Sequence, residues 1–303
     1  MRKAPTAIFF QPEKWGTLSK FKFFYMGTHT FSSDTTKAIT GVANHFNKAQ
    51  ILYNLACKLS PNLQIDEEEL NQNGHTAAIN SAEFTAVAEE VFTELYSSID
   101  CTRKIIVSIY RKCRKIPDST RKLFQRIRDH ELGSDFPDEL KNAFLSANWY
   151  EELLRIRDEL THSELGSCTL NRENKSIQYM HTGIKIEGKP LIIPDILRKI
   201  EILIFEVNKF LGQVFSFLNN QLKPHTTTQI CGMCAGKILI RELPLEEHIT
   251  FHSGTCISHN WFEKPNETRC PAAETCGAYI RAMTKIEAPL DQQFVEHCLK
   301  KTT

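Results

Sequence analysis

From Thr36 to Leu59 the apolar positions are Ile39, Val42, Phe46, Ala49, Leu52, Ala56 and Leu59. Steps of three and four put them on one face of a helix. Pro61 then blocks continuation. After an acidic loop (Asp66 to Glu69) and an Asn73-Gly74 turn, the same period returns over Ala77 to Lys115, with Val87, Val91, Leu95, Ile99, Ile106 and Ile109. Pro117 closes that helix, and a short basic stretch follows, Ser119 to His130. A further helix is expected over Asp138 to Ser163, on Leu140, Phe144, Ala147, Tyr150, Leu153 and Leu160, with Gly166 placed to cap it. The last runs from Asp195 to Leu222, on Ile196, Ile200, Leu203, Val207, Phe210, Leu211, Val214 and Leu218.

Two stretches break this rhythm. Residues 1–35 are aromatic-rich and read as short strands or an irregular lead-in. In residues 168–193, Ile177, Tyr179, Ile184 and Ile186 alternate with polar neighbours around His181-Thr182-Gly183, which predicts a small β-hairpin. The fold class expected is therefore mainly α. Four substantial helices must bury their stripes against one another as a bundle over residues 36–224. Lys223-Pro224-His225-Thr226-Thr227-Thr228 reads as a linker to a tail, residues 225–303.

Composition narrows the class. The chain has 303 residues, 41% hydrophobic and 24% charged, which is ordinary globular usage. No apolar stretch approaches the ~20 residues of a membrane helix. The run after Met1-Arg2-Lys3 ends at Gln11-Pro12-Glu13, too short for a secretory signal. These features argue against a membrane, secreted or disordered protein and for a cytoplasmic one. The net charge of +1 says nothing about partners.

Residues 155–163 read Arg-Ile-Arg-Asp-Glu-Leu-Thr-His-Ser. Arg157-Asp158-Glu159-Leu160-Thr161-His162, at the end of an amphipathic helix, resembles the signature of the HEPN superfamily: an arginine, a polar residue, then a histidine after four to six positions. The resemblance implies a four- to five-helix bundle that dimerises with two motifs facing one another. It implies a metal-independent endoribonuclease, as in toxin–antitoxin and antiphage systems, or an inactive member that only binds. An antitoxin or defence-complex partner would follow. Histidine titrates in the range a general acid/base needs. Arginine offers forked donors to phosphate. His162 is then the acid/base, Arg157 the phosphate clamp and Asp158 the orienting residue. Positions five apart on a straight helix point about 140° apart. Either the helix breaks near Thr161 or a second copy completes the site. The plain alternative is a surface Arg157 and a His162 beside the helix dipole.

Positive charge is concentrated in Arg103, Lys104, Arg111, Lys112, Arg114, Lys115, Arg121 and Lys122, with Arg126 and Arg128 beyond. Such patches hold phosphate backbones, and Tyr110 and Phe124 could stack on bases. A solvated helix face opposed by residues 66–69 is the other reading.

Of ten cysteines, six fall after residue 230. Without a signal peptide, clustered cysteines suggest metal before disulfides. Cys231-x2-Cys234-x13-His248-x3-His252 approaches the two-cysteine, two-histidine zinc finger and predicts a ββα-like module holding a structural zinc. Cys256, His259, Cys270 and Cys276 form a second, looser set, with His297 and Cys298 in reserve and a disulfide as competitor in oxidising conditions. Glu246 and Glu247 would repel phosphate, which argues against a DNA groove reader, the remaining alternative being a zinc-finger regulator.

Overall fold

The computed structural model describes residues 7–10, 12–162, 165–171, 174–262, 264 and 269–287, the last three by backbone. The chain is mainly helical with two small antiparallel sheets. It divides into two compact units: one from His29 to Asn220, the other joining the residues up to Thr28 to those from Gln221 onward.

The His29–Asn220 unit is built on α2 (Ser33–Leu59) and α4 (Ile79–Ile109), which pack along one another. Ser32 caps α2 by accepting from the Thr35 amide at 3.3 Å. Between them lies α3 (Leu63–Asn73), where an acidic loop was expected. Its Asp66 is 5% exposed and caps α4, accepting from the amides of Asn80 (3.3 Å) and Ser81 (2.7 Å). Residues 66–69 are therefore not simply a counter-charge for the basic segment.

The helix expected to reach Lys115 ends at Ile109, and α5 (Thr120–Arg128) follows, capped by Ser119. The helix expected from Asp138 is two: α6 (Asp138–Leu145) and α7 (Tyr150–His162). A turn through Ala147 separates them; Ser163, the expected end, lies outside the described residues. Next comes α8 (Ile196–Asn220), which packs on α4, α6 and α2. Phe124, Phe144, Tyr150 and Phe210 form an aromatic core, with the Phe124 and Tyr150 rings parallel at 3.4 Å. Burying one such ring contributes about 1.5–3 kcal/mol.

The predicted hairpin is a three-stranded sheet of β2 (Ser167–Leu170), β3 (Ile177–Ile186) and β4 (Lys189–Ile193). The chain does not turn at His181-Thr182-Gly183; β3 runs through it with a register shift and turns at Glu187-Gly188. Gly166 does not cap α7. Its amide donates to Glu89 Oε1 at 2.6 Å, and a Cβ there would lie 2.4 Å from the Tyr179 ring. Glycine is needed for close approach, not for a helix end.

In the other unit β1 (Ala7–Phe9) pairs with β5 (Thr226–Cys234), so the lead-in belongs with the tail. Phe21-Lys22-Phe23 lies in α1 (Thr17–Phe24), and Phe21 and Phe24 are buried. The expected linker 226–228 opens β5, which continues through a two-residue turn into β6 (Lys237–Pro244). Ala235 and Gly236 both have positive φ (51° and 75°), the requirement of the tight hairpin turn that matches strand twist. The sheet order is β1-β5-β6-β7, with β7 at Thr255–Cys256. Short α9 (His259–Phe262) and α10 (Gly277–Glu287) complete the unit.

Candidate functional site

Arg157 and Asp158 sit on the last turns of α7. The Arg157 guanidinium, 31% exposed, lies 4.8 Å over the Tyr96 ring of α4. Its Nη1 donates to Asp158 Oδ1 at 3.0 Å. The other carboxylate oxygen of Asp158 stands 3.7 Å from Nη1 of Arg121 on α5. A cation over an aromatic face gains ~0.5–1 kcal/mol at an exposed site and, more usefully here, a fixed position.

One turn beyond Tyr96, Asp100 gathers a second group. Its Oδ1 accepts from Thr120 (2.6 Å) and Arg103 Nη2 (2.9 Å), and its Oδ2 lies 3.2 Å from Lys104 Nζ. Burial pushes the Asp100 carboxyl up, but the bonds from Thr120 and Arg103 and their neighbours' charge outweigh it and hold it below the ordinary 3.8. Tyr96, Asp100, Arg103 and Lys104 lie at spacings of four, seven and eight, one face of a single helix. Thus Arg103, Lys104 and Arg121 share this neighbourhood with Arg157 and Asp158. Tyr96 and Asp100 were missed in the sequence, although their helical spacing to Arg103 and Lys104 was the signal available.

His162 is exposed at the last residue of α7. The helix does not break at Thr161, whose hydroxyl donates to the Arg157 carbonyl at 2.8 Å. One chain therefore does not fold His162 back onto Arg157. Arg111, Lys112, Arg114 and Lys115 are exposed on the connection after α4, and Lys122 is exposed on α5. Among the described residues no polar contact joins these five to Arg157 or Asp158. Arg126 and Arg128 face Glu131 and Glu151. Phe124 is 1% exposed in the core and Tyr110 packs edge-on against Phe136, so Phe124 offers no stacking surface.

The zinc-finger set is not brought together. Cys231 and Cys234 are both on β5; Cys234 is its last residue before the Ala235-Gly236 turn and is 1% exposed, and Cys231 lies further back along the strand. His248 lies outside any helix, 86% exposed beside Glu247. His252 is also exposed, with the Gly277 amide 3.4 Å from its Nδ1. In the second set His259 opens α9, its Nδ1 2.7 Å from the Cys256 carbonyl. Cys231 from the first set joins Cys256, Cys270 and Cys276 from the second around one cavity. All are free thiols. Burial, with the neighbouring thiols adding to it, raises the Cys231 thiol to about 11 and the Cys256 thiol to about 12. Among the described residues no three His, Cys, Asp or Glu side chains stand grouped to hold a metal ion. His297 and Cys298 lie outside the described residues.

No family model, curated protein or solved structure matches this chain. Among the described residues no helix is long and apolar enough to cross a membrane.

Proposed function

We propose that the chain is a metal-independent endoribonuclease of HEPN type that acts as a homodimer, with a structural zinc in the unit that contains β5 and β6. The observation that supports this reading is the cluster on α4, α5 and α7. Arg157 is seated on Tyr96 and paired to Asp158, Arg121 faces the other oxygen of Asp158, and Arg103 and Lys104 hold Asp100 one turn along α4 from Tyr96. Cations so arranged suit an RNA backbone, and Arg111, Lys112, Arg114, Lys115 and Lys122 would extend the track.

In the reaction, His162 takes the proton of a 2′-hydroxyl. The 2′-oxygen attacks phosphorus, the P–O5′ bond breaks, and the leaving 5′-oxygen takes the proton that the protonated His162 gives back. Arg157 stabilises the charge that builds on the phosphorane. Since α7 carries His162 away from Arg157 on the same chain, the histidine and arginine of one site come from two copies. An antitoxin or defence-complex partner would cover this face.

A second reading, a non-catalytic RNA- or protein-binding module, is favoured by that same divergence of Arg157 and His162. Incubation with RNA in excess chelator separates them. The proposal expects fragments ending in 2′,3′-cyclic phosphate and 5′-hydroxyl. Retained RNA without fragments supports the binding module, and zinc-dependent duplex DNA binding supports a zinc-finger regulator.

A further inference from the structure

β5 carries an irregularity at the residue that matters most. Ile230 pairs with Ile240 and Gly232 with Leu239, so Cys231 is an extra residue with no partner across the ladder. In a regular strand, residues an odd number apart point to opposite faces. The bulge restores the phase, so that Gln229 and Cys234, five apart, are both buried and Cys231 also turns inward. Bulges of this kind re-aim side chains.

The cavity that Cys231 faces holds about 20 Å³, room for one water-sized body. Cys256 reaches it from β7, Cys270 from the segment before α10, and Cys276 from the residue before α10 begins. Leu239 and Tyr279 are among the apolar walls. Four thiols from four places in the sequence thus line one small apolar space. Cys234, though buried in the same core, is not part of its lining.

A fixed cation lies beside them. Arg241 is 1% exposed, and its partners include Gln229 Oε1 (3.2 and 3.3 Å) and the carbonyls of Thr250 (3.1 Å), Phe251 (2.6 Å) and Ser253 (2.8 Å). It lines the same cavity as the four thiols. Buried thiols have no need of a guanidinium, whereas thiolates gathered on a divalent metal leave a net charge of −2 that one would offset.

We infer that Cys231, Cys256, Cys270 and Cys276 are the four ligands of a structural Zn²⁺, with Arg241 as its buried counter-charge. This rests on the zinc part of the function proposed above and replaces both ligand sets that the sequence suggested. The four thiols do not stand at ligand spacing, so binding the ion requires them to draw together on the cavity. Each thiol gives up its proton to solvent as its Zn–S bond forms, four protons per ion. Four protein ligands fill the tetrahedron, so the site is structural rather than catalytic.

The test uses the full-length chain, purified under reducing conditions, with metal content measured per chain. Cobalt is then exchanged in, because the intensity of its thiolate charge-transfer band counts sulfur ligands. Wild type is expected to carry one zinc and to give a four-thiolate cobalt spectrum. Cys256→Ser and Cys276→Ser should each lose the metal at modest chelator, whereas Cys234→Ser, His248→Ala, His252→Ala and His259→Ala keep it. Wild type without metal, with its thiols free or oxidised in pairs, overturns both the site and the zinc reading. Metal kept by Cys256→Ser or Cys276→Ser but lost by His248→Ala or His252→Ala overturns this ligand set alone and returns the zinc to the finger pattern. Should the serine variants fail to fold, the wild-type cobalt spectrum decides by itself, since two thiolates instead of four exclude the assignment.

Discussion

Asp100 and Arg241 each gather several partners, but in opposite surroundings. The Asp100 side chain is 30% exposed and collects Thr120, Arg103 and Lys104 beside the exposed end of α7. Arg241 is 1% exposed and is wrapped by carbonyls in the interior beside four thiols. Charges near water interact weakly and can exchange one partner for another, which a site that grips a passing phosphate requires. A charge taken out of water must keep every partner it has, which suits a part that never lets go. The first region therefore has the physical character of a working surface, and the second that of a staple.

The largest expected effect comes from breaking the buried side of this contrast. Arg241→Ala strips the guanidinium from Gln229 and from the carbonyls of Phe251 and Ser253, while the Thr250 carbonyl keeps the Ser253 amide. Unsatisfied buried acceptors cost about 1–3 kcal/mol each, so a loss of at least ~3 kcal/mol is expected. It should appear as rapid proteolysis of the segments around Thr250 to Ser253, while the His29–Asn220 unit melts as before. Unchanged protection of that segment would mean that the carbonyl cage does not depend on the guanidinium.

A smaller effect tests the bundle's own buried carboxylate. Asp66→Ala removes the cap of α4 and should cost ~1–2 kcal/mol in denaturant unfolding. Burial pushes the Asp66 carboxyl up, but hydrogen bonds from Asn80 and Ser81 outweigh it and hold it below its ordinary 3.8. A depressed carboxyl contributes stability above that value and loses it as the pH falls below. The gap between wild type and Asp66→Ala should therefore shrink only on acidification past about 3.8. A gap that closes near neutrality would contradict the capping role.

Glu89 gives a subtler change of opposite sign. Desolvation raises its carboxyl, against the opposing pull of the Gly166 amide, Tyr179 and His181. A raised carboxyl contributes stability at low pH and loses it as the pH rises through the folded value. Glu89→Gln can keep both bonds, since Gly166 and Tyr179 donate to the same oxygen. The variant should gain on wild type in melting temperature as pH rises from acid to neutral. A gain that does not vary with pH would remove burial of the charge as its cause.

The helices were legible in the sequence because a stripe repeated every three or four residues records burial directly. Ile39 to Ala56 on α2 and Ile196 to Leu218 on α8 lie where their spacing placed them. The breaks were less legible. Leu140, Phe144 and Ala147 keep phase with Tyr150 across a turn, so periodicity alone joined α6 to α7. The acidic run at Asp66 concealed a capping carboxylate, since sequence shows charge but not the unpaired amides that draw it inward.

The candidate sites divide in the same way. Arg157, Asp158 and Arg121 were found because local motif and charge density mark them, and Tyr96 was missed because it comes from another helix. The cavity groups the thiols differently from the sequence spacing for a related reason. Spacing between Cys234 and His248 says how far apart ligands are along the chain, not on which side of a strand each one points. The bulge at Cys231 and the surface position of His248 are decided by sheet register.

On the proposed function an exposed helix end, and not a packed core, carries the chemistry. This is tested most directly by comparing RNA cleavage in excess chelator by wild type and His162→Ala, with thermal unfolding measured on the same samples. His162 is exposed at the end of α7, so its truncation leaves no core cavity. Cleavage is expected to fall at least ~100-fold, the scale of a lost general acid or base, while unfolding shifts by no more than ~0.5 kcal/mol. Cleavage at the wild-type rate by a folded His162→Ala protein would contradict it.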